Sequence, residues 1–422
     1  MTILIKDASA ADLRTVELRG RTLAKEHQSR FYYAQLDGLR TVAFLLVFNA
    51  HAGAFGPDPS LPSWLNQILQ IIGTVTWFGW SGVDLFFILS SFLITSLLLR
   101  EERLRTGIDL RKFFVRRVLR IWPVYILAFV GGLATFPLEC NPLPVQPGTA
   151  AYFPFITANL LWGLTFTINL GTAWGFAFPP ANISNLWSVS MEEQFYIVWP
   201  FFIKSIKHPA LRVAALVSLL VATIVYRWQC MRHFPLNFNA YYQNTGARLD
   251  GLIFGAAIAL IAWYCPRIFQ MMSRFGALWL VLSIGLLMWT REQNLGMFSE
   301  HNRYALTFID AGLALFLLSC LTFKPLIKLL SLPFITSFGR LTYGMYALHG
   351  FVLQAIFRYV MTPFNIKNGS NTWAAIAVGL GLPITYVAAL IMWNVFEKRF
   401  YGLKSKFCNV ASGYDAALAI QQ

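Results

Sequence analysis

Apolar stretches close to membrane-spanning length recur from Leu36 almost to the C-terminus of this 422-residue chain, with no polar block large enough for a soluble domain between them. Crossing a bilayer takes about 20 apolar residues, because the hydrocarbon layer is about 30 Å thick and a helix rises 1.5 Å per residue. Composition agrees: 57% of residues are hydrophobic and 13% charged, where a soluble protein has about a quarter charged. The chain is therefore read as an all-α, polytopic integral membrane bundle.

Basic residues orient it. The formal net charge of +15 would suit nucleic acid, but its distribution does not. Eight Lys/Arg fall between Arg100 and Arg120 and none between Arg120 and Lys204, the alternation that the positive-inside rule imposes on cytoplasmic loops. Lys6, Arg14, Arg19, Arg21, Lys25 and Arg30 place residues 1–30 inside as a cytoplasmic tail, with no h-region of a cleavable signal. Ten spans are expected at 39–56, 79–99, 113–136, 186–203, 211–229, 249–264, 276–290, 304–321, 337–360 and 373–396. Residues 153–172 are apolar too, but a crossing there would invert every later loop, so they read as a re-entrant or laterally lying segment on the outer side. One membrane domain over 31–400 and a cytoplasmic tail at 401–422 complete the scheme, with both termini inside. Cys140, Cys230, Cys265, Cys320 and Cys408 have no CxxC or metal-like spacing, so neither a structural metal nor an essential disulfide is expected, although Cys140 could face an oxidising side.

Several polar residues sit inside these spans, where they are costly and usually functional. Arg40 and His51, eleven residues apart in LDGLRTVAFLLVFNAHAG, share one helix face about three turns and roughly 16 Å apart. A buried histidine bonded to a neighbouring helix is the plain alternative for His51. Its chemical role would be proton exchange with a hydroxyl. Glu192 and Glu193 lie at the aromatic entrance of a span in SNLWSVSMEEQFYIVWP. They point about 100° apart, so that one can face inward and steady His51 while the other meets water. Asp84, in GWSGVDLFF, could pair with Arg248 or Arg40 as readily as act in catalysis. Arg116, Arg117 and Arg120 form a positive face in RKFFVRRVLRIWPVY. It is either an anchor to lipid headgroups or an anion site for phosphates, which the planar guanidinium fork suits. Arg248 and Asp250 in GARLDGLIFG, and Tyr343, Tyr346 and His349 in FGRLTYGMYALHG, are weaker candidates, for pairing and for wall or packing roles respectively.

At these residues the chain resembles acyltransferase family 3, the membrane O-acyltransferases that include O-antigen and Nod-factor acetylases. LDGLRTVAFLLVFNAH, GVDLFFILSSFLIT, FFVRRVLRIWPVY, LWSVSMEEQFYIVWP, RLDGLIFG and FGRLTYGMYALHG occur in the family's order between Leu36 and Lys398. The resemblance implies an acyl-CoA co-substrate, usually acetyl-CoA and not tightly held, bound from the cytoplasm. It also implies transfer to a hydroxyl of an extracytoplasmic cell-envelope glycan or glycolipid. It makes His51 the catalytic group, as general base or acyl carrier, with Arg40 as its partner and Glu192 as the motif glutamate. Arg116, Arg117 and Arg120 would then meet the CoA phosphates, and the location would be the inner membrane. Ser91 replaces the glycine usual in the family's SGFLI, a small change that should keep helices close. An esterase-like domain that some members carry is not expected, so acyl handover would occur in the membrane domain or through a separate partner. Two rival classes fit the composition: a glycolipid transporter or flippase using the intramembrane charges, and a non-catalytic scaffold.

Overall fold

The computed structural model describes residues 32–53, 55–58, 61–104, 107–136, 148–296, 302–367, 369–405 and 407, and these form helices and turns without a strand. Ten helices of 15 residues or more occur among them: α1 (Ala34–Ala52), α2 (Gly82–Leu104), α3 (Leu110–Thr135), α4 (Trp187–Ser205), α5 (Pro209–His233), α6 (Asp250–Tyr264), α7 (Gly276–Glu292), α8 (Asn302–Thr322), α9 (Thr342–Ile356) and α10 (Asn371–Met392). Each expected apolar span falls on one of them. Local chemistry sets several boundaries. The Asp109 carboxylate accepts the Lys112 backbone N–H (3.0 Å) at the start of α3, and Ser370 caps α10 in the same way through Trp373 N–H (3.1 Å). Pro209 opens α5, where its missing N–H costs nothing.

Among the described residues, six helical stretches are long and apolar enough to cross a membrane: Ser63–Arg103, Leu110–Thr135, Pro209–His233, Pro266–Glu292, Arg303–Thr322 and Asn371–Lys404. These contain α2, α3, α5, α7, α8 and α10. The other four, α1, α4, α6 and α9, are short or carry the polar residues named above, so the expected count of ten is not reached by length and apolarity alone. The contrast has a physical pattern. The windows on α5 and α7 are only 17% and 11% buried, and Val213, Val217, Val221, Leu278, Val281 and Ile284 point outward, as suits lipid-facing helices. By contrast α1 and α9 lie within the packing of Phe44, Phe48, Phe87, Tyr125, Phe129 and Trp187. A second cluster (Leu36, Leu39, Leu85, Ile88, Phe92, Ile309 and Leu313) joins α1, α2 and α8.

The segment at 153–172 is broken into two helices, Tyr152–Leu164 and Ile168–Ala173, at Phe166, whose φ is 55°. Thirteen residues rise about 20 Å, too little to cross. Its turn is held by protein: Tyr125 OH donates to Gly163 O (2.9 Å) and Gln194 Nε2 to Phe166 O (2.8 Å). That is the buried backbone a re-entrant or lateral segment requires. The expected tails lie largely outside the described residues, but 401–405 do not. They continue a helix, Lys398–Ser405, and Tyr401 and Lys404 turn inward.

Close approach between α2 and α6 fixes the centre. A Cβ on Gly255 would stand 2.1 Å from the Ile88 carbonyl oxygen, and Ser91 Oγ donates to the Leu252 carbonyl across the same seam. Serine at 91 thus keeps the helices close and adds a hydrogen bond between them. Because backbone cannot yield as a side chain can, Gly255→Ala is expected to cost more than the ~1–3 kcal/mol of ordinary overpacking. The check is thermal unfolding of the solubilised variant, which should begin well below wild type. An unchanged midpoint would mean the seam is looser than its geometry implies.

Candidate active site

A cavity of about 330 Å³ opens between α1, α2, α3, α4 and α9, with Trp393, Glu397, Tyr401 and Lys404 completing its wall. Its wall carries both signs of charge, with Arg40, Arg117, Arg120, Arg340 and Lys404 beside Asp37, Glu192 and Glu397. Arg117 and Arg120 both line it, and neither makes a salt bridge or hydrogen bond among the described residues. Arg117 is 8% exposed and held by ring faces, its guanidinium carbon lying 5.6 Å from the Phe113 and Tyr196 centroids. Arg116, one residue earlier and so turned about 100° away, faces elsewhere. It pairs with Glu101 (3.3 Å) and donates to Phe407 O (3.1 Å). The expected anion face of three arginines therefore has two members at the cavity, and the third joins α3 to α2.

Glu192 lines the same cavity and accepts from Ser90 Oγ (2.8 Å) and Tyr196 OH (3.1 Å). Glu193 points away to α3, where Trp122 Nε1 donates to it at 2.9 Å. The division expected of adjacent helical residues is present, except that Glu193 is buried against protein instead of meeting water. Arg40 lies on the cavity wall and pairs with Asp37, whose other oxygen accepts from Tyr32 OH (3.0 Å). Tyr343 is a wall residue, and its hydroxyl donates to Ile121 O of α3 (2.7 Å).

His51 ends α1 outside that lining. Its Nδ1 lies 2.9 Å from Val47 O and its ring is exposed on one side, while on the other it meets His349, with 5.0 Å between ring centroids. His349 in turn packs on Tyr346, which lines the cavity and exchanges a 2.5 Å hydrogen bond with Ser188. Tyr346 and His349 therefore lie between the cavity and His51. The expected contact of Glu192 with His51 is not made; Glu192 is satisfied by α2 and by its own helix.

Asp84, Arg248 and Asp250 belong to a separate buried network. Asp84 Oδ1 pairs with Arg248 Nη2 (2.7 Å), and Arg248 lies over the Tyr242 ring at 4.6 Å. Asp250 instead takes Arg227 of α5 (2.6 Å) and Thr307 of α8 (2.5 Å). Of the pairings open in the sequence, Asp84 with Arg248 is the one formed, and Arg227 is a partner that the sequence did not announce. The sequence also gave no sign of Arg340, Tyr401 and Lys404 at the cavity. Arg340 falls in the expected span 337–360 and Tyr401 and Lys404 in the expected tail, and only the chain's return brings them to α1 and α3.

Taken together, these features are those of a membrane-embedded helical protein with an internal cavity lined by charged residues and a histidine at the far end of a helix that lines it. The chain belongs to the acyltransferase family whose domain model matches residues 33–393. Among curated proteins, YrhL of Bacillus subtilis is 31% identical over 245 residues, covering 57% of this chain and 35% of the relative. The peptidoglycan O-acetyltransferase OatA of Listeria monocytogenes is 29% identical over 252 residues, covering 58% and 36%. The O-acetyltransferase OatA of Staphylococcus aureus is 30% identical over 251 residues, covering 57% and 36%. The matched part spans about a third of the length of these relatives. No solved structure matches.

Proposed function

We propose that this protein moves an acyl group, acetyl in the simplest case, from cytoplasmic acyl-CoA to a hydroxyl of an extracytoplasmic envelope glycan, with peptidoglycan the favoured class of acceptor. It would work as a ten-span inner-membrane protein with both termini inside. The observation that carries the proposal is the pair Arg117 and Arg120. Two guanidiniums in one cavity, neither within salt-bridge distance of a carboxylate among the described residues although Glu192 and Glu397 share the wall, suit an anion, and phosphates fit their planar donors. Family membership and the names of the OatA relatives support the transferred group and the acceptor class.

In the proposed reaction the CoA phosphates rest on Arg117 and Arg120 and the thioester reaches past Tyr346 toward His51. His51 donates Nδ1–H to the Val47 carbonyl, so its Nε2 is free to act as a base. It takes the proton of the acceptor hydroxyl, the oxygen attacks the thioester carbonyl carbon, the C–S bond breaks and the thiolate takes up the proton. Glu192 holds Ser90 and Tyr196 in place along the passage. In the covalent alternative His51 carries the acyl group before passing it on.

The test is transfer of labelled acetyl from acetyl-CoA to a soluble glycan by purified protein in lipid nanodiscs. Label on the glycan supports the proposal. Movement of an unmodified glycolipid without an acyl donor would support a flippase instead. Hydrolysis of acetyl-CoA without acceptor would favour the covalent route. Arg117→Leu is expected to raise the acyl-CoA KM by about 10- to 100-fold, the worth of a lost charge-assisted hydrogen bond. The KM for a truncated acyl-pantetheine donor without the nucleotide phosphates should stay nearly the same. Equal effects on both donors would remove the phosphate assignment.

A further inference from the structure

His349 sits inside the bundle on α9, only 1% exposed, among the rings of Phe44, Phe48 and Tyr346. Its ring stands edge-on to that of His51, with the centroids 5.0 Å apart. The backbone fixes where the protons are. His51 Nδ1 lies 2.9 Å from Val47 O and His349 Nδ1 lies 2.7 Å from Tyr346 O. A carbonyl oxygen only accepts, so both Nδ1 atoms carry the hydrogen, and in each neutral ring Nε2 is left as a lone pair. The Nε2 of His349 is buried and makes no hydrogen bond among the described residues. A residue present only to fill space would not leave a polar atom stranded there, because such burial costs free energy.

We infer that His349 is the positioning residue of the transfer step, sharing the proton that His51 removes from the acceptor. The inference rests on the acyltransferase proposal and deepens it. The acceptor O–H bond breaks as its proton passes to His51 Nε2. The oxygen forms a C–O bond to the thioester carbonyl carbon, the C–S bond breaks, and the thiolate finally takes the proton. Between these events His51 is an imidazolium, and the neighbouring His349 ring, its centroid 5.0 Å away, carries a lone pair that no described group engages. One proton held between two rings then takes the place of the carboxylate that usually steadies such an imidazolium. The carboxylate nearest in the motif, Glu192, is already engaged by Ser90 and Tyr196.

Two substitutions separate proton sharing from packing. His349→Phe keeps an aromatic ring among aromatic neighbours and loses the lone pair, whereas His349→Gln packs less well and keeps an acceptor oxygen. In nanodiscs, His349→Phe is expected to lower kcat about 100-fold with the acyl-CoA KM within about twofold of wild type. His349→Gln should retain about tenfold more activity than His349→Phe. A packing role gives the reverse order. The inference is overturned if the phenylalanine variant equals or exceeds the glutamine variant, or if the loss lies wholly in KM. Histidine ring ¹⁵N spectra of the unmutated protein give a second readout that does not depend on variant folding. Both rings should carry hydrogen on Nδ1 near neutral pH, and an Nε2-protonated tautomer at either one overturns the inference. If unmutated protein moves no label from acyl-CoA, the acyltransferase proposal itself is struck. If it does, and His51→Gln abolishes transfer while His349→Phe does not, only the proton-sharing role is lost.

Discussion

His51→Gln protein is expected to bind acyl-CoA with nearly unchanged affinity and to transfer its acyl group at least about 100-fold more slowly than wild type. Glutamine approximates the length of histidine and its amide can still donate toward the Val47 carbonyl, so the end of α1 keeps its local bond. It cannot take up a proton at neutral pH. Donor affinity should survive because the proposed phosphate contacts, Arg117 and Arg120, lie on α3 at the cavity, and His51 is not among the residues lining it. The measurement is kcat and acyl-CoA KM for transfer to a soluble glycan in nanodiscs, with direct donor binding as a control. A variant that keeps transfer within a factor of about ten would take His51 out of the chemistry in both the direct and the covalent form. A variant that loses donor binding instead would move His51 into the donor site.

The sequence made the bundle legible because lipid imposes one rule on every segment: apolar length, ended by charge. That rule located all ten long helices. It could not say how many of them cross, since α1, α4, α6 and α9 have exchanged apolar surface for the polar residues of the interior. The Arg40 to His51 spacing correctly put both residues on one helix, and the adjacent glutamates divided as helical geometry requires. Spacing along one helix carries no information about neighbours, however. Glu192 was expected near His51 and instead meets Ser90 of α2, while His349, read as a wall or packing group, is the ring that touches His51.

The same limit explains the basic motif. Arg116, Arg117 and Arg120 look alike in RRVLR, but Glu101 lies beside Arg116 alone, a contact made across the loop between α2 and α3. Tyr401 and Lys404 fall in the expected tail, beyond the last expected span and within the basic stretch Lys398–Lys406. They reach the cavity because the Lys398–Ser405 helix packs along α3. In each case the misread quantity is a contact between distant segments, which neither periodicity nor charge counting contains.

Asp84→Ala is expected to destabilise the protein by about 3–5 kcal/mol, the usual cost of leaving a buried charge without its partner. Arg248 is fully enclosed, and among the described residues its one salt bridge goes to Asp84 and its Nε and Nη1 make no hydrogen bond. Removing the carboxylate leaves the guanidinium with the Tyr242 ring at 4.6 Å and the buried carboxylates of Asp310 and Asp250, neither of which forms a salt bridge to it among the described residues. Replacing both members, Asp84→Ala with Arg248→Met, should recover most of the loss, because a buried ion pair exchanged for apolar groups is often close to neutral. Equilibrium denaturation in mixed micelles of the two single variants and the double variant completes a cycle, and the coupling should be favourable and large. The same proteins decide what the pair is for. If Asp84 serves only to neutralise Arg248, the double variant regains acyl transfer along with stability. If Asp84 acts in the reaction, the double variant is folded and inactive. A double variant as unstable as Asp84→Ala alone would show that Arg248 is not what Asp84 holds in place.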